Sequence, residues 1–297
     1  MKELNVFVSN NDYSYLNFIK NYKVNKVPVL EKADLVIFTG GADVHPIFYS
    51  KEKPVDTISH DLKRDEREVL IYNNALQMKI PMLGICRGAQ FLTVMNGGKL
   101  IQDVYPQSSG QKKIITTLNE GYKKLVVHSD HHQEMYPINL KDKDYKILGF
   151  SFYSPIHKAL YYKKNINMQD FFYDITLENV FYPTTQCLCV QTHPEWLSTT
   201  RPGEVESLDY FNTLLESLML ESDFIYNLPE LTYSNLEKWI KDNIKKDTEK
   251  KGSKSSEFKY MFGTKSHTTK GGSLIEELKK NYYENHIKVK SIDNELE

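Results

Sequence analysis

One cysteine held between glycines, in Gly84-Ile85-Cys86-Arg87-Gly88, is the stretch of this sequence best suited to nucleophilic chemistry. It follows the apolar run Ile80-Pro81-Met82-Leu83 and precedes Ala89-Gln90-Phe91-Leu92-Thr93-Val94-Met95, which has helical character. A strand-to-helix turn of this kind is sharp. Small residues on either side let the chain make it while the Cys86 side chain points outward. The helix that follows aims its positive end at the sulfur and favours thiolate over thiol. Alone, the pentapeptide suits a small buried thiol in a glycine turn equally well, so its partners must decide.

A thiol nucleophile needs a base, and the base needs an orienting group. His193-Pro194-Glu195 offers both. In extended chain, residues two apart face the same way, so Glu195 can hold the His193 imidazole in the tautomer that serves Cys86. Acyl transfer also needs donors for the developing oxyanion. The backbone N–H of Arg87, directly after the nucleophile, and that of Gly41, in Thr39-Gly40-Gly41-Ala42-Asp43, are the natural ones. A lone His-x-Glu is a surface corner and a lone Gly-Gly is a turn. Together with the cysteine they point to acyl transfer.

Other polar groups read differently. His131 and His132 are adjacent, so on an extended strand they face opposite ways, and no cysteine or carboxylate cluster completes a tetrahedron. Substrate contact or plain structure is expected of them, and no metal. Cys187 and Cys189 share one face of a strand and read as core. Arg64, Asp65 and Glu68 read as a salt-bridged helix start, with Arg64 and Glu68 paired at i,i+4. No phosphate-cradling glycine loop is seen, so neither ATP nor another cofactor is implied.

These groups need a scaffold. Leu4–Val8, Leu35–Phe38, Ile80–Leu83, Leu125–Val127, Ile147–Phe150, Leu160–Tyr162 and Gln186–His193 read as strands, with Val27–Leu30 as a proline-bearing edge strand. Helical spacing runs through Tyr13–Tyr22, Asp61–Met78 and Glu204–Leu220. Apolar strands alternating with helices imply an α/β fold, a mostly parallel central sheet with helices on both faces. Active sites of such sheets lie beyond the carboxyl ends of the strands, where both Gly40-Gly41 and Cys86 fall. Residues 1–222 read as the catalytic domain. Residues 223–297 read as an extension, with a short helix over Tyr233–Ile244, a Lys/Ser-rich linker over Lys245–Ser256 and a last helix over Ser273–Ile287.

Composition narrows the partners. A formal net charge of −1 over 297 residues gives no field to recruit nucleic acid or an anionic membrane. Three cysteines do not make a disulfide framework. No apolar run approaches a membrane span, and the start of the chain does not read as a signal peptide. A cytoplasmic protein is the expectation.

Taken together, Thr39-Gly40-Gly41-Ala42-Asp43-Val44-His45-Pro46, Arg64-Asp65-x-x-Glu68, Pro81 to Gln90, Gly97 to Asp103, His131-His132-Gln133 and Thr192-His193-Pro194-Glu195 resemble the class I glutamine amidotransferase superfamily. Within it they resemble the peptidase C26 group and the pattern of γ-glutamyl-γ-aminobutyrate hydrolases. The resemblance implies a flavodoxin-like three-layer α/β sandwich in which Cys86 attacks a γ-glutamyl amide, a thioester forms, and water releases glutamate. It implies Cys86 as nucleophile, His193 as base and acid, Glu195 as orienter, and the Gly41 and Arg87 amides as oxyanion hole. Gly40, Gln90, His132 and Gln133 match substrate-side positions. His128 departs from the pattern, standing where relatives often carry Asn.

Three functions follow as expectations. The first is a freestanding hydrolase of γ-glutamyl amides that releases an amine. The second is a glutaminase component that acts on glutamine and hands ammonia to a synthase or ligase partner, with the extension as docking element. A homo-oligomer is a further partner option. The third, disfavoured by the intact Cys86, His193 and Glu195, is a non-catalytic scaffold.

Overall fold

Short apolar runs become the strands beneath the site, and longer alternating stretches become the rest of the sheet. The computed structural model describes residues 1–49, 60–101, 111–119, 121–137, 140–152, 175–240 and 242–243. In chain order these form β1 (Lys2–Val8), β2 (Tyr22–Lys26), β3 (Leu35–Phe38), α1 (Leu62–Met78), β4 (Met82–Ile85) and α2 (Arg87–Met95). There follow β5 (Lys99–Ile101), β6 (Gln111–Asn119), β7 (Gly121–Ser129), β8 (Glu134–Tyr136) and β9 (Lys146–Phe152). The last are β10 (Ile175–Tyr182), β11 (Cys187–Val190), α3 (Glu204–Leu218), α4 (Phe224–Asn227) and α5 (Tyr233–Ile240).

Nine of the described strands make one sheet in the order β2-β1-β3-β4-β11-β10-β9-β6-β7. From β2 to β11 neighbours are parallel. From β11 to β7 they are antiparallel. The parallel half is the part that the alternation of apolar strands and helices foretells, and the antiparallel half extends it into a mixed sheet. Successive residues of a strand face opposite sides, and β10 shows what covers each. Tyr182 donates its hydroxyl to Thr93 Oγ1 of α2 at 3.2 Å, whereas Phe181 meets the Tyr226 ring of α4 edge-on. Helices therefore flank both faces, giving three layers.

Two local expectations are corrected. The helix expected over Tyr13–Tyr22 is only a 3-10 turn, Tyr13–Leu16, and Tyr22 already belongs to β2. Asn212 of α3 supplies the reason. Its side chain accepts from the Lys20 N–H and donates to the Phe18 carbonyl, both at 2.9 Å, taking backbone groups that a helix would pair internally. The edge strand expected at Val27–Leu30 lies instead at Tyr22–Lys26, beside β1. Val27 makes one more bond to Val6 O, and Pro28 has no N–H to continue the ladder.

Residues 224–240, expected in the extension, pack on the same core. Ile225 and Leu236 are fully buried, Ile147 donates its N–H to Leu231 O at 2.7 Å, and Trp239 sits edge-on to Phe150. The strand expected at Leu160–Tyr162, the Lys245–Ser256 linker and the helix at Ser273–Ile287 lie outside the described residues.

Candidate active site

The strand-to-helix turn is built by two close approaches. A Cβ at Gly84 would fall 2.5 Å from the Gly88 carbonyl, and one at Gly88 would fall 2.0 Å from Phe38 O of β3. Only glycine at both positions lets the first turn of α2 press against β3 and β4. Between them Cys86 is the residue before the helix, at φ 52° and ψ −112°. A positive φ on a side-chain-bearing residue costs on the order of 1–3 kcal/mol and persists only where the surroundings impose it. Here they do: Cys86 donates its N–H to Val190 O of β11 at 2.8 Å and its carbonyl accepts from Ala89 and Gln90. The thiol is nearly buried and donates to Asp130 O at 3.5 Å.

His193 lies just beyond β11, its N–H bonded to His128 O at 3.0 Å. Its Nδ1 is 2.6 Å from Glu195 Oε1, with both side chains almost wholly buried. Burial works to lower its pKa, but Cys86 and Glu195 together outweigh burial and hold it at about 10. The ring thus holds its proton more tightly than a free imidazole; its Nδ1 faces the Glu195 carboxylate, and its buried Nε2 has no hydrogen-bond partner among the described residues. Trp196 stacks flat on it at 3.7 Å, the geometry of a cation over an aromatic face. Tyr15 also lies near it, its ring tilted with centroids 6.5 Å apart, and Gly40 fits between them: a Cβ there would meet the Tyr15 hydroxyl at 2.5 Å and His193 Cε1 at 3.5 Å. Burial raises the Tyr15 pKa, and the charges of Glu195 and Cys86 raise it further, so the phenol stays protonated.

Three buried charges and the part-buried Arg64 underlie the Gly40-Gly41 loop. Arg64 pairs with Glu68 at 3.0 Å, the expected i,i+4 bridge. Glu68 and Asp65 also bind the buried Arg87 guanidinium, which lies over the Phe91 ring at 5.2 Å. Burial raises the Asp65 pKa against the pull of Arg87. Burial also lowers that of Arg64, with Arg87 adding to the effect. Arg87 reads in sequence as a source of a backbone N–H alone. As the first residue of α2 its amide is one of those with no partner inside the helix, but its side chain is equally committed.

The other expected positions fall nearby. Gln90 Nε2 donates to Gln133 O at 2.9 Å, so this amide braces the loop after β7. His132 Nε2 is 2.9 Å from Asp43 Oδ1, tying that loop to the one after β3. His131 turns elsewhere, to Gln133 O and Lys113. Burial, with Lys113 second, holds its pKa well below the ordinary value. The Gln133 side chain is buried, and neither its Oε1 nor its Nε2 has a partner among the described residues.

Sequence reasoning missed a polar cluster across the crevice. Lys113 pairs with Glu178 at 2.6 Å, which accepts from Ser151, and Thr176 donates to Glu134 at 2.7 Å. Glu178 Oε2 and both amide atoms of Gln191 are buried without partners. Polar residues within strands, as in Ile175-Thr176-Leu177-Glu178-Asn179, break the apolar pattern and were the available signal. Trp196 had none beyond closeness in sequence to His193, and Tyr15 had none.

The Peptidase C26 family model matches residues 19–195, more than half of the chain. A glutamine amidotransferase-like protein of Lactococcus lactis, YvdE, is 40% identical over 96 residues, which are 32% of this chain and 38% of that protein. A glutamine amidotransferase-like protein of Rickettsia prowazekii is 40% identical over 77 residues, 26% of this chain and 27% of that one. Both matches thus span less than half the relative's length. Among solved structures, PurLQS from Thermotoga maritima aligns over 73% of this chain and 100% of its own, with 16% identity and a TM-score of 0.47.

Proposed function

Because the chain belongs to the Peptidase C26 family, we propose that it is a cysteine-dependent hydrolase of γ-glutamyl amide bonds working through a thioester. The observation that carries this reading is the strained Cys86 at the head of α2, next to a His193 imidazolium backed by Glu195.

In this reading the Cys86 sulfur attacks the amide carbon and forms a C–S bond. Negative charge moves onto the carbonyl oxygen, where the Gly41 and Arg87 N–H groups stabilise it. His193 gives its proton to the leaving nitrogen as the C–N bond breaks, so the amine departs neutral. Water then attacks the thioester and His193 takes its proton. The C–S bond breaks, leaving a γ-carboxyl group and restoring the thiolate–imidazolium pair. Gly40 keeps the floor of the site free of a side chain, and Gln90, His132 and Gln133 shape the side that holds the glutamyl portion.

The test is turnover of a panel of γ-glutamyl amides, glutamine included, by the purified chain and by Cys86→Ala. The expected result is hydrolysis with release of glutamate, lost in the variant. Activity retained by Cys86→Ala sinks the mechanism. Turnover confined to glutamine, and only after a synthase or ligase is added, would move the protein to the ammonia-delivering reading.

A further inference from the structure

The loop after β3 carries a pattern that the Arg64, Asp65, Glu68 and Arg87 charges explain. Arg64 Nη1 donates to Gly40 O at 3.0 Å, and its Nη2 donates to Thr39 O at 3.0 Å and to Thr39 Oγ1 at 3.1 Å. Arg87 Nε donates to Ala42 O at 3.2 Å. Two guanidinium groups thus hold the carbonyls of Thr39, Gly40 and Ala42, skipping Gly41. No peptide bond among the described residues is cis, and in a trans peptide the C=O and N–H point in opposite directions. Arg64 therefore holds the Gly40–Gly41 peptide with its oxygen toward the buried charges and its N–H away from them.

Gly41 is solvent-exposed, whereas Arg64 beneath it is mostly buried. Gly41 has φ +125°, and a Cβ there would stand 2.6 Å from Arg64 Nη1. Glycine is required both for the backbone angle and for seating the guanidinium against the loop. Arg64 is in turn fixed by Glu68, which Ser9 Oγ also binds at 2.7 Å. Glu68 also binds Arg87, the residue whose own N–H opens α2.

We propose that Arg64, locked by Glu68 to Arg87, is the positioning residue that sets the oxyanion site, by pinning the Gly40 carbonyl inward so that the Gly41 N–H faces the Cys86 crevice. The proposal rests on the hydrolase reading above. Neither arginine side chain touches substrate. Their fork geometry matters because one guanidinium binds two successive carbonyls and a carboxylate at once, which an ammonium cannot reproduce.

The test is Arg64→Lys, which keeps the charge and loses the fork. With the peptide free to turn, kcat falls by roughly 100-fold, the scale of losing one oxyanion donor, while KM changes little. Affinity for a γ-glutamyl aldehyde, whose adduct with Cys86 carries an oxyanion, falls by a similar factor. Alkylation of Cys86 by iodoacetamide builds no oxyanion and keeps its rate. Unchanged aldehyde affinity overturns the proposal. So does an alkylation rate that falls in step with kcat, because the site as a whole would then have been disturbed. If the wild-type chain cleaves no γ-glutamyl amide, the functional reading fails. The clamp is then judged by the crystal structure of Arg64→Lys, where an unturned Gly40–Gly41 peptide refutes it.

Discussion

The two walls of the crevice are built on opposite principles. On the wall formed by α1, β3 and the head of α2, four charges, three of them buried, satisfy one another and the backbone: Arg64, Asp65, Glu68 and Arg87 engage three loop carbonyls, Ser9 and the His45 N–H. On the facing wall, formed by β6, β9, β10 and the residues around His131, the buried polar groups are only partly matched. Lys113 and Ser151 share Oε1 of Glu178, and Thr176 binds one oxygen of Glu134. Glu178 Oε2, Gln133 and Gln191 are left with buried atoms unpaired. A satisfied network is rigid and a half-satisfied one is costly. The first wall is thus suited to fixed catalytic donors. The second leaves buried polar atoms without partners among the described residues.

Removing a charge from the satisfied wall tests this most severely. Glu68→Ala leaves two buried guanidinium groups short of a carboxylate, and it should lower unfolding stability by about 3–5 kcal/mol, read by denaturant titration. A loss under about 1 kcal/mol would mean that the network is not the matched unit described.

On the facing wall Glu134 is fully buried, and burial raises its pKa to about 7 despite the Thr176 hydrogen bond. Unfolded, it ionises from its ordinary value of 4.5, so between pH 4.5 and 7 the folded state holds a proton that the unfolded state has released. Wild-type stability should therefore fall as pH rises through that window. Glu134→Gln should gain on it by up to about 3 kcal/mol, at about 1.4 kcal/mol per unit. A stability difference that stays flat from pH 4.5 to 8 would remove the claim.

Gln133→Met sharpens the contrast further. Replacing an unpaired buried amide by an apolar group of similar length should raise stability by about 1 kcal/mol. It should also raise KM for γ-glutamyl amides. A destabilised variant would show that the amide is paired after all.

The smallest effect belongs to Trp196→Ala. His193 holds its proton up to about 10, so the stability it contributes is complete below its ordinary value of 6.5 and is lost as pH rises through about 10. Stripping the ring from its face should weaken the imidazolium by about 0.5–1 kcal/mol. The alkaline limb of that loss then moves down by less than one pH unit. An alkaline limb at the wild-type position would show that the stacking does not stabilise charge.

Legibility in the sequence followed the range of the interactions involved. The strands leading to the site are four-residue apolar runs, and Leu35–Phe38 and Met82–Ile85 appear in the structure as buried strands close to where they read. β10 and β6 did not read as strands. Glu178 and Asn179 put buried polar groups in the middle of one, and Lys112 and Lys113 open the other. The helix expected at Tyr13–Tyr22 failed for a related reason, since Asn212 lies far along the chain and captures its backbone.

Sequence by itself determined what depends on neighbours in the chain. The glycines around Cys86, the two-residue step from His193 to Glu195 and the Arg64–Glu68 spacing are all local geometry. Tertiary structure alone decided which carbonyls Arg64 and Arg87 would hold, and that Tyr15 would come near His193 while Trp196 stacks on it. It also decided which buried polar atoms would be left unpaired. Those outcomes depend on groups distant in sequence meeting where water is excluded, and there a charge or an amide is governed by the partners the fold brings to it.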